Sequence, residues 1–181
     1  MTHLKKLAIA FAVTSCLSSF EASAQQTGRS WYVSPNLNLI SPDSGFQAGS
    51  RGEGLGVRAG TAVAPNWDVQ VGTTYARARD GGYHYYQNTL GVDGLYLFSR
   101  DKFRPFVLAG VGASYDRVNK PNLESSGTSP YINAGVGFQY AFNEKWALQA
   151  DLRRVHTYLR DDKVGSSSNN DYLTVGVNYA F

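Results

Sequence analysis

From residue 30 onward, apolar and polar positions alternate with a period of two, and no stretch carries the 3.6-residue recurrence of a long amphipathic helix. At the C-terminal end Leu173, Val175, Val177, Tyr179 and Phe181 fall on one face, and Thr174, Gly176, Asn178 and Ala180 on the other. That is the signature of a strand with one apolar face. The pattern recurs and predicts eight strands, over residues 30–40, 53–64, 67–77, 85–98, 103–115, 131–142, 146–158 and 171–181.

The predicted connections alternate in length. Short turns fall at 65–66, 99–102 and 143–145, and longer, Gly/Ser/Asp-rich segments at 41–52, 78–84, 116–130 and 159–170. An up-and-down sheet then has every short turn at one end and every long loop at the other, with both termini on the short-turn side. One face is apolar, as in Leu55, Val57, Val69, Val71, Leu90, Val92, Val107, Val111, Ile132, Val136, Leu148 and Leu152. The opposite face carries Ser34, Asn36, Asn38, Arg58, Gln70, Asp93, Asn133, Gln139, Gln149, Asp151, Arg153 and many of the 19 glycines of the chain.

Alternation alone does not say which face is inward, since a soluble barrel would place the apolar face inside. The aromatic residues decide. Trp31, Trp67, Phe98, Phe142, Trp146 and Phe181 fall at the short-turn end, and Tyr75, Tyr115, Tyr131, Tyr158 and Tyr172 at the long-loop end, most of them in parity with the apolar face. Two aromatic rings bounding an apolar band suit the two interfaces of a bilayer. The expected fold is all-β, an eight-stranded antiparallel up-and-down transmembrane β-barrel.

Residues 1–24 read as a secretory signal: Lys5 and Lys6 precede an apolar run from Leu7 to Val13, and Ala22-Ser23-Ala24 offers a small-residue cleavage site. The barrel domain is then 25–181. A competing reading takes Val13-Thr14-Ser15-Cys16 as a lipoprotein box with Cys16 lipidated. Cleavage after Ala24 discards Cys16, the one cysteine of the chain, and with it disulfides and cysteine metal sites. Removing Lys5, Lys6 and Glu21 from the totals of 17 basic and 14 acidic residues leaves 15 and 13, a balance that does not point to nucleic acid.

The sequence resembles the OmpA-like family of small outer-membrane β-barrels. The resemblance is carried by "SWYVSPNLNL", by "LGVDGLYLF" followed by "FRPFVLAGVGASY", by "YINAGVGFQYAF" followed by "WALQADLRRV", and by the terminal "TVGVNYAF". It implies residence in the cell outer membrane and, for Thr174, Gly176, Tyr179 and Phe181, an assembly signal read by the barrel-assembly machinery. Larger relatives continue into a peptidoglycan-binding domain after the last strand, so that tether is not carried over.

Counting from the short turns, Arg58 lies six positions above Ala64, Asp93 five above Phe98, and Asp151 and Arg153 five and seven above Trp146. At about 2.5 Å of climb per residue, all four reach mid-height of a band about 25 Å tall. A structural salt-bridge network that plugs the lumen is the expected role, and the resemblance implies the same; an ion-selective constriction is the alternative. Basic residues near the long-loop end, Arg77, Arg79, Arg154, Arg160 and Lys163, are candidate contacts to lipopolysaccharide phosphates. A lipid-modifying enzyme would need serine, histidine and an acid together. His156 is followed by Thr157 and Tyr158, and His84 sits in "GGYHYY", so that pattern is absent.

The expected function is therefore a structural or surface-interaction role without catalysis, cofactor or metal, in a monomer whose partners are outer-membrane lipids, lipopolysaccharide and ligands reached through the loops. A narrow porin is the first alternative, a lipid-modifying enzyme the second and a soluble periplasmic barrel the third. N-terminal sequencing of the exported protein is expected to begin at Gln25; a blocked, lipid-bearing Cys16 would replace the signal-peptide reading.

Overall fold

A computed structural model describes residues 31–42, 52–80, 83–120, 123–158 and 167–181. The expected signal segment with Cys16, and the rim residues Arg160 and Lys163, lie outside the described residues. Eight strands follow one another: β1 (Trp31–Pro42), β2 (Gly52–Ala64), β3 (Trp67–Asp80), β4 (Tyr83–Leu97), β5 (Phe103–Lys120), β6 (Leu123–Ala141), β7 (Trp146–Thr157) and β8 (Ser168–Ala180). Each pairs antiparallel with the next, and β1 pairs with β8, so the sheet closes into a barrel without an open edge. Closure reaches the last residue, because the Phe181 backbone N–H donates to the Trp31 carbonyl at 3.0 Å.

Side chains are distributed inside-out. Leu37, Leu55, Val111, Val136 and Leu152 stand exposed on the outer surface, whereas Ser34, Asn38, Arg58, Gln70, Asp93, Gln149, Asp151 and Thr174 are buried in the lumen. A soluble domain with this exterior would carry an apolar patch far beyond what water tolerates, so the solvent of the outer face is lipid. At the short-turn rim the outward rings touch in pairs: Trp67 with Tyr96, Tyr96 with Phe98, Phe103 with Phe138, Tyr140 with Phe142, and Trp146 with Tyr179.

Two expectations are corrected. The described residues of segments 78–84 and 116–130 are strand, not loop: Arg79 pairs with His84 and Asp80 with Tyr83, while Lys120 pairs with Leu123 and Asp116 with Gly127. These ladders stand above the lipid band, where neither face needs to be apolar, so the alternation that marks a strand is lost while the backbone still satisfies its hydrogen bonds. The 18 and 19 residues of β5 and β6 exceed the ~9–11 that cross a bilayer, and the surplus projects outward. In addition, Tyr131 and Tyr172 do not belong to the outer aromatic ring. They point inward, 8% and 4% exposed, and leave Tyr75, Tyr115 and Tyr158 on that rim.

The lumen also holds apolar clusters: Leu95, Leu97, Phe106 and Leu108 between β4 and β5, and Ile40, Ala76, Tyr131, Val155 and Tyr172 in the upper half. The rings of Phe106 and Tyr131 fit because the cross-strand neighbour of each is glycine. A Cβ at Gly137 would lie 2.6 Å from Cζ of Phe106, and one at Gly112 would lie 2.5 Å from the Tyr131 ring. Glycine is the residue that lets a ring lie flat on backbone inside so narrow a barrel.

Candidate functional site

The rise of a strand and the tilt of the barrel bring residues of distant sequence to one height in the lumen. Arg58 projects inward from β2, Asp93 from β4, Asn133 from β6, Asp151 and Arg153 from β7, and Thr174 from β8. Arg58 Nη1 donates to Asp151 Oδ2 at 2.8 Å and Arg153 Nε to Asp151 Oδ1 at 2.7 Å. Arg153 Nη1 reaches Asp93 Oδ2 at 2.8 Å, and Asn133 Nδ2 donates to the other Asp93 oxygen at 2.9 Å. On the opposite side Arg58 Nη2 donates to Thr174 Oγ1 at 3.2 Å, and Thr174 Oγ1 donates to Asn38 Oδ1 at 2.8 Å. The four predicted charges thus form one belt, two arginines against two aspartates, which runs across the lumen between β1 and β4.

Polar layers lie on both sides of this belt. Toward the short turns, Gln149 Oε1 accepts from Gln70 at 3.2 Å, Gln139 at 3.2 Å and Asn178 at 3.0 Å, and Gln70 also donates to the Tyr32 hydroxyl at 2.7 Å. Toward the loops, Gln87 Nε2 donates to Ser114 Oγ at 3.0 Å and Asp116 Oδ1 at 2.9 Å, and Gln87 Oε1 accepts from the Tyr172 hydroxyl. Sequence reasoning placed most of these amides on the inward face without a role. Only one pair is marked by register, since Gln139 and Gln149 face each other across the β6–β7 ladder.

Two cavities stand out among the described residues. One of about 150 Å³ opens at the short-turn end, lined among others by Tyr32, Asp68, Arg104, Gln139, Trp146 and Asn178. A smaller one of about 40 Å³ lies between the charged belt and the rings of Tyr131 and Tyr172. It is large enough for a water or two, which suits the polar atoms facing it.

At the outer rim Arg77 is paired with Glu53, and Arg154 with Asp171 in a two-point contact of 2.7 and 2.8 Å. Both pairs are exposed, and each cation is offset by a carboxylate. The Arg79 and His84 side chains lie outside the described residues. His156 faces outward, its Nδ1 2.8 Å from Asn169 Oδ1, whereas the neighbouring Thr157 is buried in the lumen. Among the described residues no group of His, Cys, Asp or Glu is placed to hold a metal ion. At the C-terminal end Thr174 and Gly176 face the lumen, and Tyr179 and Phe181 face out beside Trp146.

The closed eight-strand sheet, its lipid-facing band and its polar lumen agree with a family-level match over residues 9–181 to the outer membrane protein beta-barrel domain. The chain belongs to this family. The outer-membrane barrel is accordingly a protein of the cell outer membrane. It is similar in fold to Neisserial surface protein A, with a TM-score of 0.69, 18% identity, and coverage of 83% of this chain and 97% of that one. Ail, the attachment invasion locus protein of Yersinia pestis, aligns with a TM-score of 0.55 at 13% identity over 84% of this chain and 97% of its own. The outer membrane enzyme PagL aligns with a TM-score of 0.53 at 19% identity over 80% and 97%. At such identities the likeness is one of fold, and it spans proteins of different roles. No curated protein matches in sequence.

Asp151 accepts from two arginines, so truncating it leaves both cations short of a partner in the lumen. Asp151→Ala is expected to destabilise the refolded outer-membrane barrel by about 3–5 kcal/mol in urea titrations, while Arg154→Gln at the exposed rim leaves the midpoint unchanged. A loss below about 0.5 kcal/mol for Asp151→Ala would mean that the belt is solvated and contributes no closed network.

Proposed function

We propose that this barrel is a non-catalytic structural or surface-interaction protein of the outer membrane, monomeric, with its lumen plugged by side chains. The observation that carries the reading is the belt from Asn38 through Thr174, Arg58, Asp151 and Arg153 to Asp93 and Asn133, which reaches across the lumen by hydrogen bonds of 2.7 to 3.2 Å. The amide layer beneath it and the Gln87–Tyr172 contact above it add two further obstructions. Outside, the tall β3–β6 ladder presents backbone and polar side chains to the medium, the kind of surface through which a scaffold meets ligands.

A lipid-modifying activity has less support. The His156 imidazole is held by an asparagine, Thr157 turns away from it into the lumen, and the residue two positions on is Tyr158. A nucleophilic hydroxyl next to a base on the lipid-facing side is what such chemistry requires. The narrow-porin reading keeps one supporting observation, the cavities on either side of the belt.

Single-channel recording in planar bilayers separates plug from pore. The wild-type barrel is expected to be silent and Asp93→Ala to give discrete conductance steps; steady wild-type steps whose ion selectivity changes in the mutant would establish a pore instead. We further assign Thr174, Gly176, Tyr179 and Phe181 to an assembly signal. Deleting Phe181 is expected to lower the folded protein recovered from outer membranes several-fold while refolding of the purified chain in detergent proceeds as before. Equal loss in both settings would make Phe181 a packing residue only.

A further inference from the structure

From the charged belt down to the short-turn mouth, the described lumenal charges are matched except at one place. Arg58 and Arg153 are matched by Asp93 and Asp151, and Arg100, which reaches over the short-turn mouth, is matched by Asp68 at 2.7 Å. Arg104, on the inward face of β5, has no carboxylate partner among the described residues. Its Nε donates to the Asp101 carbonyl at 2.7 Å, which pins the guanidinium to the β4–β5 turn and leaves its two Nη groups for another acceptor. Arg104 lines the 150 Å³ cavity that opens at this end of the barrel.

The same cavity holds the complementary deficit. Asn178, 5% exposed, gives its Nδ2 to Gln149, but its Oδ1 is buried without a hydrogen-bond partner. Around the wall Arg104 pairs in register with Gln139, Gln139 with Gln149, and Gln149 is bonded to Asn178, so cation and acceptor face one space. Lys145 and Glu144 stand exposed at the mouth. A buried acceptor left open costs free energy, and a guanidinium fork with free Nη groups selects oxyanions.

We propose that this vestibule is a binding site for a compact oxyanion that also carries a hydrogen-bond donor, of the phosphate or phosphomonoester class, entering from the periplasmic side. The anionic oxygens take the Nη groups of Arg104, and an O–H of the ligand donates to Asn178 Oδ1. The cavity corresponds to about five waters at ~30 Å³ each, room for a phosphate and part of a short substituent. The site lies beneath the amide layer, so occupancy does not require the lumen to conduct, and the inference stands independently of the plug.

Hydrogenphosphate and sulfate offer a matched pair, alike in size and charge, of which only the first donates a hydrogen bond. Isothermal titration of the full refolded barrel is expected to show phosphate binding at least about tenfold more tightly than sulfate, because sulfate leaves the Asn178 oxygen unpaired. Arg104→Gln should weaken phosphate by at least about tenfold, and Arg104→Lys should restore part of that loss, with urea midpoints checked to show that each variant folds. Glycerol 3-phosphate distinguishes the sources: binding comparable to phosphate indicates an ester ligand, and exclusion indicates the free ion. Equal affinity for sulfate, or unchanged phosphate affinity in Arg104→Gln, or no binding of either probe at millimolar concentration, would overturn the assignment.

Discussion

The carboxylate of Asp151 is the point on which the interior turns. It is 2% exposed and receives Arg58 from β2 and Arg153 from its own strand, and through Arg153 it is tied to Asp93 on β4. In the low dielectric of a lumen ringed by lipid, charges so placed are held by each other or not at all. Everything nearby adapts to that demand. Asn133 fills the second oxygen of Asp93, Thr174 takes the remaining Arg58 nitrogen, and β-strand positions beside the belt are glycine. A Cβ at Gly110 would lie 2.0 Å from Asp93 Oδ1, so the belt and the small residues around it are a single arrangement.

This interior is the inverse of a water-soluble core, yet the same rules build it. Buried polar groups find partners, apolar groups find an apolar solvent, and the closed ladder leaves no backbone edge to lipid. Polar side chains span the barrel in layers, and the apolar clusters of Leu95, Leu97, Phe106 and Leu108, and of Ile40, Tyr131 and Tyr172, fill the gaps between the layers. The layers therefore brace strands that are far apart in sequence, Asn38 to Thr174 and Arg58 to Asp151 among them.

Much of this architecture is legible in the chain because strand rise and barrel tilt are nearly fixed. Counting positions from Ala64, Phe98 and Trp146 is enough to bring Arg58, Asp93, Asp151 and Arg153 to one level. The amide layer around Gln149 is harder to read, since uncharged polar residues occur all along the inward face and nothing marks which will meet. The Leu95–Phe106 cluster is harder still: in "GLYLF" both faces are apolar, so the period of two has no contrast to report. The upper hairpins fail for the opposite reason. In "LESSGTSP" both faces are polar, and a strand that leaves the bilayer leaves its signature behind. Arg104 is legible only as one more inward basic residue; its lack of a carboxylate becomes visible once Arg58, Arg100 and Arg153 have been matched.

The described ladder does not rise evenly around the barrel. On one side β5 and β6 continue in register up to Lys120 and Leu123, and β3 and β4 up to Asp80 and Tyr83, while β7 leaves the ladder at Thr157, level with Tyr131 of its neighbour. Among the described residues, four strands thus carry the ladder furthest beyond the lipid band. Along that flank the medium meets paired strand, whose backbone groups already satisfy one another, and contact there falls to side chains.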